Sequence, residues 1–468
     1  MKHYDAAIIG FGKGGKTLAG TLAAAGKSVA VIEQSPRMYG GTCINVACIP
    51  TKTLVHAAAL SQAQGGTFAE RAGRYAAAID EKDRVTGMLR GKNYHKLADL
   101  PNVDVIDGRA SFADATHLAI DPTEATDGEP AAPAAEAEPF RIEADRIFIN
   151  TGARPFVPPI PGIDSPRAFV SETLLDLRDL PERFVVIGGG YIGLEFASMY
   201  ANFGAHVTVV QDTEEFIPRE DAAIAKAVLT SLEDRGIRII RGARVLSIES
   251  GPSHDTVVIE ANGAEERIPA DAVLVATGRR PNVEGLALER AGVELTERGA
   301  VRTDEHLRTT APSIHAMGDV VGGLQFTYIS LDDFRIVKDD LLGDGARTTE
   351  NRGAVPYSVF LDPPFSRVGM TEQEARDAGY AVKLAELPAA AIPKAQVLGK
   401  PVGLLKAVVD ADTDRLLGAH LFCEESHEMI NTAKLAIDAG LPYQTLRDAV
   451  YTHPTMSEAF NDLFATVK

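Results

Sequence analysis

The chain has 468 residues, of which 45% are hydrophobic and 24% charged, an ordinary globular composition that excludes a mainly disordered protein. Its net charge of −18 opposes electrostatic attraction to nucleic acid or an anionic membrane surface.

Residues 4–9 (YDAAII) form a short apolar run that ends at Gly10. No signal peptide fits before it, and no apolar run approaches the ~20 residues of a bilayer span, so a cytoplasmic protein without a membrane is expected. Small and apolar residues at helical spacing occupy 14–26, and 28–32 (SVAVI) form a second strand ending at Glu33; together these read as a βαβ unit. Its turn, Gly10-Phe11-Gly12-Lys13-Gly14-Gly15, is a G-x-G-x-x-G that lets backbone amides approach a pyrophosphate at a helix N-terminus. Glu33 stands 23 residues beyond Gly10, where a carboxylate bonds the ribose of an adenosine.

The segment Gly40-Gly41-Thr42-Cys43-Ile44-Asn45-Val46-Ala47-Cys48-Ile49-Pro50-Thr51-Lys52 follows. Three cysteines are too few for a secreted disulfide framework, yet two of them lie five residues apart. Cys48 opens a predicted helix running through Lys52 and Val55, and the pair can close a small disulfide loop. A thiolate in a helix's first turn is stabilised by the positive end of the dipole. Two buried structural thiols are the competing reading; a zinc site would need two further ligands that the motif does not supply.

Residues 121–139, rich in Ala, Pro and acids, read as a mobile surface excursion between strands. The strand–glycine–helix–strand grammar then recurs over 184–211, an internal duplication about 175 residues on. From 353 the style changes to alternating strands (YSVFL, GLLKAVVD, LLGAHLF) and then helices near 427–439 and 443–450, an α+β region.

GGTCINVACIPTK resembles the redox segment of the class I pyridine nucleotide–disulfide oxidoreductases, a family that includes glutathione reductase, lipoamide dehydrogenase and mercuric reductase. The rest of the family pattern follows in order. Gly188-Gly189-Gly190-Tyr191-Ile192-Gly193 resembles the NAD(P)H fingerprint, Thr151-Gly152 and Thr277-Gly278 the two crossover segments, Gly318-Asp319 the flavin-ribityl motif, and His453 with Glu458 the C-terminal catalytic segment. The resemblance implies an α/β fold with two Rossmann-like dinucleotide-binding domains plus a C-terminal α+β dimerisation domain. Its expected boundaries are 1–152 for FAD, 153–278 for NAD(P)H, 279–352 for a central FAD-binding part and 353–468 for dimerisation. A narrower likeness, carried by MYGGTCINVACIPTKTLVH, KNYHKLADLPNVDVIDG and GGLQFTYISLDDFRIV, is to a reactive-chlorine-resistance subgroup related to mercuric reductase and associated with copper(II) reduction.

What the resemblance implies for the residues is specific. FAD lies along the first domain, held by Gly10, Gly12, Gly15, Glu33, Gly41, Thr42, Thr151, Gly152, Gly318 and Asp319. Electrons from NADH (or NADPH) pass through the flavin into a Cys43–Cys48 disulfide, with Cys48 against the flavin and Cys43 facing substrate. Lys52 sits near the flavin with Glu195 as partner, and Tyr191 covers the nicotinamide pocket beside Gly188, Gly190, Gly193 and Gly278. His453 and Glu458 serve the disulfide of the other subunit, which implies a homodimer.

Gln211 ends the second strand of the NAD(P) fold among acids, with no arginine until Arg219, which favours NADH; a Glu there would be expected to sharpen that choice. The chain lacks the additional C-terminal cysteine pair of mercuric reductases, while Tyr328 resembles the tyrosine lining their metal site. The expected oxidant is a thiophilic metal ion, Cu(II) or Hg(II), held by Cys43 and Cys48. Rival readings are a low-molecular-weight disulfide reductase or dihydrolipoamide dehydrogenase, and a redox-sensing or oxidant-scavenging flavoprotein. Cys423 and His427 could act as soft ligands, but a lone cysteine in an apolar strand is more often core.

Overall fold

In the computed structural model, residues 1–123 and 138–468 are described. They begin with β1 (Lys2–Ile9), α1 (Lys13–Ala24), β2 (Val29–Glu33), β3 (Val103–Phe112), β4 (His117–Pro122) and β5 (Phe140–Ile149). β1 lies between β2 and β5, parallel to both, in registers such as Ile9↔Ile32 and Ile9↔Ile149. β3 runs parallel to β2 over Val103–Asp107, then turns antiparallel against β4, which returns to β5. The strand Ile314–Ala316 adds in parallel to β5. Side chains alternate across this sheet: Ala7 and Ile9 join one buried cluster with Ile32 and Ile149, whereas Ala6 and Ile8 join another with Leu18, Val31 and Phe148. Of the predicted excursion 121–139, Asp121 and Pro122 belong to β4, paired with Arg109 and Gly108, and residues 124–137 lie outside the described residues.

Two compact units emerge. The first comprises Met1–Leu54, Ala77–Phe156 and Gly278–Arg352; the second comprises Val55–Ala76, Val157–Thr277 and Gly353–Lys468. The second unit contains the other dinucleotide fold. Its parallel sheet runs Arg238–Ile240, His206–Val210, Arg183–Ile187, Ala272–Val275, Ala168–Val170, with the helix Tyr191–Phe203 following the third of these. That helix ends at Gly204, whose φ of +103° is a left-handed closure suited to glycine. A small antiparallel sheet of Arg244–Glu249, Asp255–Ala261 and Ala264–Ala270 follows, which the sequence reading does not separate.

The C-terminal region is an antiparallel sheet ordered Tyr357–Val359, Phe365–Gly369, Leu416–Phe422, Leu404–Asp410, Val382–Pro388. Helices Ser426–Asp438 and Ala459–Ala465 cover it through Met429, Ile430, Phe460 and Leu463. The helix expected at 443–450 shrinks to Gln444–Arg447: Asn461 donates to the carbonyls of Leu446, Arg447 and Ala449, capturing acceptors that a continuing helix would use. One helical stretch bears on the expectation of no membrane span. Thr42–Gln64 is long and apolar enough to cross a membrane by length and composition alone. It is broken at Val46–Ala47, and Thr51, Leu54, Ala58 and Ser61 are buried within the protein.

Candidate active site

The first fingerprint is shaped by close backbone approach. Gly10 has φ +101°, and a Cβ there would fall 2.4 Å from the Asn150 carbonyl oxygen. The Asn150 side chain, which sequence reasoning missed, accepts from the Gly15 amide at 2.9 Å and donates to the Met317 carbonyl at 2.9 Å. One amide thus ties the Gly10–Gly15 turn, the end of β5 and the Gly318–Asp319 motif together. Gly318 in turn donates to Asp333 at 2.8 Å, and Arg352 donates to the other oxygen of Asp333 at 2.8 Å. Asp319 is held above the usual carboxylate range by burial, partly opposed by Arg279.

Beside this turn lies a cavity of about 220 Å³ lined by Gly10, Ile32, Glu33, Gly108, Arg109 and Thr151. Buried Glu33 accepts from the amides of Phe11 (3.0 Å) and Ser35 (3.2 Å), which fixes its carboxylate at the cavity wall. A dinucleotide fits this arrangement: glycines whose Cβ positions are closed by the backbone or side chain of Asn150, an uncapped helix start at Gly12, and a fixed carboxylate one strand away. Gly41 packs against Gly12, where a Cβ would meet the Gly12 Cα at 2.7 Å. Thr42 opens the short helix Thr42–Asn45, and Gly152, with φ +71°, is open to space.

Cys43 and Cys48 are both half-buried thiols, not joined in a disulfide, with Cys48 at the first position of the helix Cys48–Gln64. The Cys43 thiol is pushed far up by the hydrogen bond it donates to Cys48 and by burial; Thr327 and Lys16 act the other way. Thr327 Oγ1 lies 3.6 Å from Cys48 Sγ, and burial, followed by the charge of Cys48, raises the Tyr328 phenol. Thr327 and Lys16 had no signal in the sequence beyond their neighbours Tyr328 and Gly15. Lys16 donates to the Gly40 carbonyl (3.1 Å) and to Asn93 Oδ1 (2.5 Å), so it clamps the segment leading to Cys43; burial brings its ammonium down to about 8. Lys52 is half-buried one turn beyond Cys48.

In the second fingerprint Gly188 has φ +112°, with a Cβ position 2.4 Å from the Ala276 carbonyl, and Gly193 would set a Cβ 2.1 Å from the Gly188 carbonyl. Gly190, by contrast, faces open space and leaves its helix without a side-chain cap, so first-turn amides are presented to a ligand. Gly278, φ +120°, follows the neighbouring strand. Gln211 is buried, and its NH₂ donates to the Thr213 carbonyl (2.8 Å), Thr213 Oγ1 (3.0 Å) and the Glu215 carbonyl (2.9 Å). Its Oε1 is the atom turned toward Gly189, 2.2 Å from where a Cβ would stand. Glu195 Oε1 accepts from the Phe360 amide at 2.8 Å, while Tyr191 donates to Glu220.

His453 Nδ1 meets Glu458 Oε2 at 2.8 Å, and the Thr455 amide donates to Oε1 at 3.1 Å. The histidine hydrogen bond holds the Glu458 carboxyl below its ordinary range. With Nδ1 engaged, Nε2 is the nitrogen left for proton transfer. Cys423 is fully buried against the Met429 sulfur at 3.9 Å, a core residue, and among the described residues no three His, Cys, Asp or Glu side chains gather as a metal site.

Residues 4–333 match the pyridine nucleotide-disulphide oxidoreductase family, and residues 355–464 match its dimerisation domain. The chain is 52% identical over 469 residues, covering all of both chains, to a probable pyridine nucleotide-disulfide oxidoreductase, RclA, of Escherichia coli. It is 36% identical to a mercuric reductase of Staphylococcus aureus over 97% of this chain and 81% of the relative. Among solved structures it is similar to the Cu(II) complex of the HOCl-induced flavoprotein disulfide reductase RclA from Escherichia coli, with TM-score 0.90, 51% identity and full coverage of both. Two glycine cradles, a cysteine pair at a helix start and a matching C-terminal domain thus have one explanation: the chain belongs to the pyridine nucleotide–disulfide oxidoreductases, FAD-dependent enzymes with NAD(P)H as electron donor.

Proposed function

We propose that this enzyme works as a cytoplasmic homodimer that oxidises NADH and reduces a thiophilic metal ion, Cu(II) or Hg(II), in defence against reactive chlorine. The observation that carries the reading is the paired thiols with Thr327 and Tyr328 beside them, in a chain similar throughout to a flavoprotein solved with Cu(II). Bound FAD supplies the relay between two-electron hydride donation and the cysteine pair. Gly10, Gly12, Gly15, Gly41, Thr42, Thr151, Gly152, Gly318 and Asp319 would hold it, with Glu33 at the ribose.

The remaining roles belong to the chain. Cys48, at the helix start, is the thiol turned to the flavin, and Cys43 is the thiol that meets the oxidant. Returning the dithiol to the disulfide releases two electrons and two protons, enough to take two Cu(II) to Cu(I) or one Hg(II) to Hg(0). Lys52 places a cation near the redox centre. Gly188, Gly190, Gly193 and Gly278 admit the nicotinamide dinucleotide, Tyr191 covers its pocket, and Gln211 selects the unphosphorylated ribose.

The His453–Glu458 pair favours a second reading, a disulfide substrate such as lipoamide or glutathione disulfide, because a leaving thiol needs a proton and a metal cation does not. Anaerobic steady-state oxidation of NADH and NADPH against Cu(II), Hg(II), lipoamide and glutathione disulfide separates the two. Turnover on either metal that is lost in both Cys43→Ser and Cys48→Ser supports the metal reading. Turnover confined to an organic disulfide overturns it, and a single reduction with no turnover on any acceptor points to a redox sensor.

A further inference from the structure

Glu220 lies outside the motifs read from the sequence, yet it is buried and gathers three groups from three elements. Its Oε1 accepts from the phenol of Tyr191, at the start of the nucleotide-binding helix, and from the phenol of Tyr357 at 2.6 Å. Its Oε2 faces the Arg367 guanidinium at 3.7 Å. Tyr357 and Arg367 are directly opposed across the antiparallel pair that opens the C-terminal sheet, so both address one carboxylate from one face. The turn that delivers Glu220 is strained: Ile217 has φ +38°, a region that β-branched residues avoid, and its carbonyl takes the Glu220 amide at 3.0 Å. Arg367 also donates to the Arg219 carbonyl at 2.5 Å, which braces the same turn.

We propose that Glu220 is a positioning residue for NAD(P)H binding: it latches Tyr191 in its closed place through an oxygen shared with Tyr357, and cofactor entry requires Tyr191 to leave that oxygen. The inference rests on the reading of Tyr191 as the cover of the nicotinamide pocket. Sharing makes the latch tunable. Two donors on one carboxylate oxygen weaken each other, so Tyr357 lowers the cost of releasing Tyr191, and Oε1 keeps a hydrogen bond after release. A pocket that is open only part of the time binds with an affinity reduced by that fraction.

The test is the KM for NADH, with kcat and the rate of flavin reduction measured beside it, in the FAD-loaded dimer. Tyr191→Phe keeps the ring but removes the latch, and KM is expected to fall about tenfold, in keeping with a hydrogen bond to a charged group. Glu220→Gln should lower KM less, and the double variant should go no lower than Tyr191→Phe alone. Tyr357→Phe should move KM upward, because it leaves Tyr191 the sole donor to Oε1. Opposite signs for the two tyrosines are a response that loss of packing does not produce. If Tyr191→Phe and Tyr357→Phe shift KM in the same direction, or leave it unchanged while Tyr191→Ala alters it, the latch is wrong although the cover stands. If Tyr191→Ala also leaves KM unchanged, the reading of Tyr191 as a cover fails, and the latch with it.

Discussion

Replacing Gln211 by Glu separates the sequence-based expectation from the structural one. By pattern, an acid at the end of this strand should sharpen the preference for NADH. The geometry reverses this. The Gln211 NH₂ donates to two carbonyls and a hydroxyl in a buried position, and a carboxylate there would turn an acceptor toward the Thr213 and Glu215 carbonyls. Both carbonyls keep other donors, the Gly242 amide on Thr213 and Thr213 Oγ1 on Glu215, so the cost lies in the buried carboxylate itself, which faces two carbonyl oxygens with no proton to offer, about 1–3 kcal/mol for the site. Taking about 2 kcal/mol for the site, the thermal midpoint should fall by roughly 4–8 °C, at about 2–4 °C per kcal/mol. The introduced acid should have a raised pKa, since burial and facing carbonyls disfavour its anion. Stability lost at pH 8 should therefore be partly regained as the pH falls and the carboxyl becomes a donor again. Thermal unfolding of Gln211→Glu at pH 8 and pH 5.5, with NADH and NADPH titrations, makes the check. A variant as stable as the parent at pH 8, with tighter NADH binding, would refute the argument.

Three other outcomes follow from the site. On two-electron reduction, Cys43→Ser should keep a long-wavelength charge-transfer absorbance and Cys48→Ser should abolish it; the converse would exchange their roles. Lys16 has its folded pKa lowered to about 8 by burial, so the unfolded chain binds more protons between there and the ordinary lysine range near 10.5. Relative to Lys16→Met, the parent should therefore gain stability as pH rises through that window, and chemical denaturation at pH 7.5 and 10 would expose a flat or falling difference. For the shared site, His453→Ala should lower turnover of organic disulfides by about 10²–10⁴-fold. Mixed dimers of His453→Ala with Cys43→Ser should recover about half the parent rate, since one composite site is intact, and no rescue in verified mixed dimers would defeat the shared-site model.

The βαβ units were legible because glycine turns, apolar runs and the acid at Glu33 are local in the chain. The cysteine segment was legible for the same reason. Asn150, Thr327, Lys16 and Glu220 were not, since each acts on a partner far away in sequence: Asn150 on Gly15 and Met317, Glu220 on Tyr191 and Tyr357. Helix 443–450 was overextended because side-chain capture of its carbonyls by Asn461 leaves no periodic trace. Gln211 shows the limit most sharply. Its position at a strand end was readable, but the direction in which its amide points was set by the loop at 213–215.

The Asn150 amide has a consequence for how the chain is assembled during synthesis. The turn at Gly10–Gly15 emerges first, yet the groups that hold it, Met317 and Asn150, and the Asp333 that secures Gly318, emerge as much as 318 residues later. At the usual 5–20 residues per second of translation, that interval lasts roughly 15–65 s. The segment 157–277 lies wholly inside this gap, so its parallel sheet has all its strands before the first unit has its last one. The dinucleotide fold that comes second in sequence is therefore the first to be complete, and the flavin cradle closes only when the ribosome has passed residue 333.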